Sequence, residues 1–327
     1  MTEQASNEHK TPTATSHPCA RCLQPSTFSL QPLSRPIVPH VVRSVPHCLS
    51  HASEGLLPLR PMQTVLTIAG SDPTGGAGLQ ADLQVIRHLG CHGAGVLSAL
   101  TVQDTAKVHS VLPVFPSVVL DQLRTVLRDL RVDAVKIGML ATDDVVRNVI
   151  LALAELDPSV PIVIDPVLQA SDGKPLLERR AWPALTGLFA RAALVTPNLP
   201  EAESLTGCST ASRAGCEDAA GVFLSELAAD AVLIKGGHRE GNPDDLLAWR
   251  DGEKEHLEWL EGTRISSAGG PVHGTGCALS TSIAAGLARG LELREAVAAG
   301  RRFVARGLAN THSPGRGAAF LGFDEGA

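Results

Sequence analysis

The sequence predicts an α/β protein, a three-layer α/β/α fold around a mostly parallel central sheet with an antiparallel edge. Two observations carry this expectation. From residue 63 onward, short apolar runs rich in β-branched residues alternate with stretches of helical periodicity. That is the pattern of strands buried on both faces and covered by crossover helices. Late in the chain the alternation changes, where 244–249 and 254–259 flank Asp251-Gly252. That dipeptide suits a hairpin turn and makes the far edge antiparallel.

Taken in order, QTVLTIA (63–69) is the first strand and stops at a glycine. A helix over 75–89 follows, with Leu79, Leu83 and Ile86 at helical spacing. A strand over 94–101 leads into a helix over 117–130. The runs 134–137, 162–164, 194–195 and 232–234 are apolar and too short for helices, so they read as buried strands. Helical patterns separate them over 142–156, 178–190, 199–206 and 214–229, and two long helices from about 274 and 291 close the chain. No segment repeats at a period of roughly 20–50 residues, which excludes a solenoid. One domain over 62–327 accounts for all of these elements.

Composition narrows the function. The chain has 327 residues, 44% hydrophobic and 19% charged, and 28 basic against 34 acidic residues give a net charge of −6. A mildly acidic chain with no Lys/Arg run lacks the electrostatic footprint of a nucleic-acid binder. No apolar segment approaches the ~18 residues of a membrane span. A small-molecule substrate is the expected partner.

The first 62 residues differ from the rest, holding nine of the 22 prolines and five of the 12 histidines but only the acids Glu3, Glu8 and Glu54. Without a helical or alternating period such a segment cannot offset its ordering entropy. Residues 1–61 read as a disordered N-terminal extension with a faint likeness to a transit peptide, or as a start-site artefact with Met62 as the true start. The seven cysteines form no disulfide framework, which points to a reducing cytoplasm. Cys19, Cys22, His47, Cys48 and His51 can supply four zinc ligands. A chance cluster in a tail is the plainer reading.

In a parallel sheet, chemistry belongs at the carboxyl ends of the strands, and the unusual residues fall there. The turn from Gly70 to Gly78 (GSDPTGGAG) offers close backbone approach and helix-start N–H groups, yet it matches neither GxGxxG nor GxxxxGK[ST]. By itself it is a tight turn. His273-Gly274-Thr275-Gly276-Cys277 opens a helix whose unpaired N–H groups suit a phosphoryl group in flight, and a cysteine there is expected to have a lowered pKa. The competing reading is a glycine-rich cap with an inert buried thiol. Asp165, Asn198 and Glu201 follow successive strands and can hold Mg²⁺ directly or through water. Singly they are a turn former, an N-cap and a first-turn acid, and their joint appearance favours function. Lys235-Gly236-Gly237-His238 follows another strand toward the same rim.

These residues carry a resemblance. VLTIAGSDPTGGAGLQADL (65–83), ALTVQDT (99–105), VKIGML (135–140), VIDPV (163–167), TPNLPEAE (196–203), LIKGGH (233–238) and HGTGC (273–277) stand in the order seen in hydroxymethylpyrimidine kinase/phosphomethylpyrimidine kinase. These are thiamine-biosynthesis kinases of the ribokinase-like superfamily. The resemblance implies a ribokinase-like fold and ATP-dependent phosphorylation of 4-amino-5-hydroxymethyl-2-methylpyrimidine and then of its monophosphate. By motif, Gly70, Asp82 and Gln103 resemble pyrimidine-binding residues and Met139 a wall of the pocket. Gly274, Thr275 and Gly276 resemble the anion hole, with Cys277 as base where superfamily relatives usually carry aspartate. Asp165, Asn198 and Glu201 resemble a Mg²⁺ set, and Lys235 with Asn198 resembles nucleotide contacts. ATP, Mg²⁺ and a homodimer are implied with them. Gly269-Gly270-Pro271-Val272 departs from the family's usual polar stretch ending in Asn-Thr. The alternatives are a pyridoxal kinase of the same family, against which Gln103 and the GTGC form speak, and a non-catalytic pyrimidine-binding sensor.

Overall fold

The computed structural model describes residues 62–237, 241–265 and 270–323. The 1–61 extension with its five zinc candidates lies outside the described residues, as do His238 and Gly269. Each expected strand forms, and one more, β3, joins them: β1 (Thr64–Ser71), β2 (His92–Gln103), β3 (Val108–Pro113), β4 (Ala134–Ile137), β5 (Ile162–Ile164), β6 (Leu194–Val195), β7 (Ala231–Ile234), β8 (Asp245–Asp251) and β9 (Lys254–Leu260). They form one sheet in the order β3-β2-β1-β4-β5-β6-β7-β8-β9. From β2 to β7 the pairing is parallel, and it turns antiparallel at β2–β3, β7–β8 and β8–β9.

Side chains along the central strands enter alternate faces. Leu66 and Ile68 of β1, and Ile162 and Ile164 of β5, join one core, while Val65 and Val163 join the other. The first core packs under α2 (Pro116–Asp129), α3 (Asp143–Leu153), α4 (Trp182–Gly187), α5 (Leu199–Thr206) and α6 (Arg213–Ser225), contributing for example Leu123, Val149, Leu185, Ala202 and Phe223. The second packs under α1 (Gly78–His88), α7 (Thr275–Ala288) and α8 (Leu293–Ala309) through Ile86, Ile283 and Val297. Two buried faces explain why these strands read as unbroken apolar runs.

The structure differs from the sequence expectation at three places. Both sheet edges are antiparallel, because β3 returns along β2 where no strand was expected. Helix α1 begins at Gly78 rather than at 75, since Gly75 and Gly78 take positive φ. A Cβ on Gly78 would stand 2.3 Å from the Gly70 carbonyl oxygen, so the turn closes only on glycine. The helix expected over 178–190 is α4 flanked by 3-10 turns at Arg179–Ala181 and Phe189–Arg191.

Strand β1 lies between β2 and β4, and the helices that follow β1 and β4 cover opposite faces of the sheet, α1 on one core and α3 on the other. At such a reversal the loops past the carboxyl ends splay apart and open a crevice. The site lies there.

Candidate active site

The crevice is a cavity of about 910 Å³ whose lining includes Gly70, Gln103, Lys136, Asp165, Lys235 and Cys277. Its floor is made where the two glycine motifs touch. Gly274, the N-cap of α7, has φ 76°, and a Cβ there would stand 1.8 Å from the Gly76 oxygen. A Cβ on Gly76 would in turn meet the Phe320 ring at 2.6 Å and His273 Cδ2 at 2.9 Å. Only bare backbone fits between them. The contact is clasped by β10 (Val272–His273) pairing with β11 (Ala319–Phe320). Past Gly274, the first-turn N–H groups of Thr275, Gly276 and Cys277 have no carbonyl one turn back, and all three residues line the cavity.

The residues expected to bind a pyrimidine divide. Gly70, Met139 and Gln103 come together: a Cβ on Gly70 would stand 2.8 Å from Met139 Sδ, and Thr101 links Ser71, through its oxygen at 2.8 Å, to Gln103 at 3.2 Å. Asp82 does not join them. It is fully buried beneath the cavity, accepting from Lys136 Nζ at 2.7 Å, Thr67 Oγ1 at 2.6 Å and Thr281 Oγ1 at 2.7 Å. Its two oxygens take three donors, so in this structure Asp82 braces the floor of the cavity. Its partner Lys136 was missed in the sequence, although a lysine inside the all-buried strand AVKI requires a buried carboxylate. Burial opposes the Lys136 charge, but Asp82 outweighs it and holds the pKa above its ordinary value.

Cys277 stands at the first turn of α7, as expected, but its thiol is not the acidic one predicted. Burial pushes it up to about 11; the Lys136 ammonium and an N–H from Gly78 pull it down, and the Asp165 and Asp82 carboxylates push it up further. Desolvation outweighs the helix terminus.

Lys235 joins the glycine turn to the acidic residues. Its Nζ donates to Asp165 Oδ1 at 2.7 Å and stands 3.1 Å from where a Cβ on Gly276 would be. Lys235 therefore faces the anion hole. Asn198 and Glu201 form a reciprocal capping box at the start of α5, Asn198 Oδ1 accepting from Glu201 N and Glu201 Oε2 from Asn198 N, each at 2.8 Å. The N-cap reading of Asn198 and the first-turn place of Glu201 hold, and both residues line the cavity. Burial raises the Glu201 pKa to about 7, Lys235 lowers it and Asp165 raises it.

This shift predicts a pH effect. Between the ordinary value of 4.5 and about 7, the folded chain holds a proton on Glu201 that the unfolded chain has lost. Stability contributed by this group therefore falls as pH rises through that window. Thermal midpoints from pH 4.5 to 7.5 are expected to decline less steeply for Glu201→Gln than for wild type. Parallel curves would contradict the raised value.

The phosphomethylpyrimidine kinase family matches this chain over residues 72–321. The chain belongs to that family. A thiamine biosynthesis bifunctional protein ThiED from Geobacter sulfurreducens is 42% identical over 259 residues, 79% of this chain and 51% of the relative, so the chain spans about half that relative's length. A hydroxymethylpyrimidine/phosphomethylpyrimidine kinase from Staphylococcus aureus (strain MRSA252) is 38% identical over 77% of this chain and 90% of its own. Among solved structures, a phosphomethylpyrimidine kinase from Clostridium difficile 630 aligns with a TM-score of 0.64 at 32% identity, covering 74% of this chain and 98% of that one. The pyridoxal kinase from Staphylococcus aureus in complex with AMP-PCP aligns with a TM-score of 0.68 at 29% identity, covering 80% and 93%. The family resemblance and the ribokinase-like fold read from the motifs hold with these matches.

Proposed function

We propose that this kinase uses ATP to phosphorylate the hydroxymethyl group of 4-amino-5-hydroxymethyl-2-methylpyrimidine, and then phosphorylates the monophosphate to the diphosphate, in thiamine biosynthesis. The shared lining of one cavity carries the reading: Met139 and Gln103 supply an apolar and an amide group, and Cys277 lines the same space with the α7 amides, Lys235 and Asp165. A ring held by the first group and a phosphoryl group held by the second would share that space.

In this reading the Thr275, Gly276 and Cys277 amides and Lys235 stabilise charge on the transferring phosphoryl group, which is where phosphoryl transfer needs help. The thiolate form of Cys277 takes the hydroxymethyl proton in the first step, becoming the thiol. In the second the acceptor is already an ionised phosphate and needs no base. The oxygen donors of Asp165, Asn198 and Glu201 fit Mg²⁺ in a limited way. Asp165 Oδ2 has only a 3.5 Å contact from Ser280, and no cluster of three ligating side chains closes around one point among the described residues. That donor set suits an ion shared with nucleotide phosphates. Bound there, Mg²⁺ would neutralise phosphate charge, with Asp165 and Glu201 holding it.

Pyridoxal phosphorylation is a second reading, favoured by the likeness to pyridoxal kinases. Gln103 weighs against it, because a side-chain amide matches the ring nitrogen and amino group of an aminopyrimidine. A sensor without catalysis would not need the amide turn beside Lys235 and Asp165. The reading also places the protein in the cytoplasm, where the free thiols of Cys91, Cys208, Cys216 and Cys277 stay reduced, and makes residues 62–327 the catalytic domain. No helix among the described residues is long and apolar enough to cross a membrane. The implied homodimer has an apolar surface to use, since Leu100 and Leu112, paired across β2–β3, are both exposed.

Product formation from ATP with the aminopyrimidine and pyridoxal side by side tests the assignment. Turnover of pyridoxal alone would reverse it. Gln103→Leu is expected to raise KM for the aminopyrimidine by roughly five- to 150-fold, the loss of a buried hydrogen-bond pair worth ~1–3 kcal/mol, with KM for ATP unchanged. Wild-type kinetics in that variant would remove Gln103 from the pocket.

A further inference from the structure

His273 precedes the amide turn and has no part in the mechanism above. Its Nε2 lies 3.1 Å from Asp72 Oδ2 and 3.0 Å from Gln103 Nε2, while Gln103 Oε1 lies 3.2 Å from Thr101 Oγ1. All four side chains line the cavity. The oxygen and nitrogen of a planar amide are distinguished by their partners, not by shape, and here the partners decide.

Asp72 also accepts from Thr74 N at 2.9 Å, Thr74 Oγ1 at 2.7 Å and Ala77 N at 2.9 Å. Burial opposes its charge, but the bonds from His273 and Thr74 hold its carboxyl below the usual value. It is therefore an anion at neutral pH and only accepts, so His273 Nε2 must carry a proton. Thr101 has a single hydroxyl proton, which goes to the Ser71 oxygen at 2.8 Å. With Nε2 of Gln103 toward His273, the imidazole nitrogen would have to accept and donate at once, and Thr101 would need two protons. With the amide turned over, no nitrogen has to accept and donate at once: the one His273 Nε2 proton is shared between the Gln103 carbonyl and Asp72, whose oxygens have other donors, and the Gln103 amino group donates to Thr101.

We propose that His273 is a positioning residue that locks the Gln103 amide in this turned orientation, and that the lock selects a pyrimidine with an exocyclic amino group over its oxo counterpart. The inference rests on the aminopyrimidine reading above. The locked amide offers the ring one free N–H and one free carbonyl lone pair, in fixed order. An aminopyrimidine edge is an acceptor nitrogen beside an amino donor; the oxo edge is an N–H donor beside a carbonyl acceptor. A freely turning glutamine pairs with either. A locked one pairs with one order only, provided that Met139 and the hydroxymethyl contact fix where the ring lies.

The test compares the 4-amino substrate with its 4-oxo analogue, using the full chain with ATP, in wild type, His273→Leu and His273→Gln. Wild type is expected to favour the amino compound in kcat/KM by about 10³-fold or more, as sites with committed buried polar groups do. His273→Leu, which frees the amide, is expected to lower that ratio at least about tenfold, through a higher KM for the amino compound and a gain for the oxo compound. KM for ATP should not change. His273→Gln brings two N–H protons for the same two acceptors, and its ratio is expected to stay within about threefold of wild type. A wild-type ratio in His273→Leu overturns the lock. Equal loss in both variants overturns it too, because then the imidazole acts through packing on Gly76 and Phe320. A wild-type protein that phosphorylates neither pyrimidine defeats the functional reading itself, and the lock with it.

Discussion

Gly274→Ala is expected to reduce kcat for both phosphorylations by about 10²–10³ or more, with a small change in thermal midpoint. An alanine at φ 76° is strained by roughly 1–2 kcal/mol, and its Cβ would overlap the Gly76 oxygen, 1.8 Å away. Relief requires the two backbones to part. The amides of Thr275 and Gly276 ride on that backbone, so they leave the position where charge develops. Loss of one oxyanion-hole donor typically costs ~10²–10³ in kcat, and a displacement of about 1 Å costs ~10². The turn lies on the rim of the sheet and not in its core, so the fold should survive. Gly221→Ala in α6, where an added Cβ meets nothing within 4 Å, is the control and should leave kcat unchanged. A Gly274→Ala enzyme with near-normal kcat would remove the amide turn from the mechanism.

Cys277→Ala is expected to separate the two steps. The hydroxymethyl group is a poor nucleophile at neutral pH, and a positioned base contributes ~10²–10⁴-fold. The first step should fall by about that factor, and the second by less than about tenfold. The raised thiol adds a second signature. With its pKa up at about 11, only a minor fraction is thiolate at neutral pH. The first-step rate in wild type should therefore climb with pH between about 6 and 9, while the second stays flat. The climb should vanish in Cys277→Ala. Equal losses in both steps, with no pH slope, would make Cys277 a residue that shapes the turn.

The strands of the central sheet were legible because burial on both faces leaves a sequence signature that needs no partner to be read. Ile162, Val163 and Ile164 are apolar whichever neighbour covers them. β3 was not legible, because it is an exposed edge carrying Pro113, and its burial falls away along its length. The meeting of Gly70 with Met139 follows from strand order, which the motifs supplied. The place of Asp82 did not follow, since a carboxylate on a helix reads the same whether it faces a ligand or a buried lysine on β4. The thiol of Cys277 went the other way from expectation for a related reason: a helix start is visible in sequence, and the solvent excluded from it is not.

The contact of Gly274 on Gly76 also sets a timetable. Asp72 and His273 are 201 positions apart, and the clasp over them closes only with Phe320. At the usual ~5–20 residues per second of synthesis, roughly 10–50 s separate the birth of the first glycine motif from that of the strand that secures the second. Through that interval the sheet can grow strand by strand, but the pocket does not exist, and substrate can lend a nascent chain none of the stabilisation that binding gives a finished one. Ligand binding is therefore expected only of chains synthesised through Phe320. A chain clipped before Phe320 keeps a paired sheet and loses the clasp that holds its active site together.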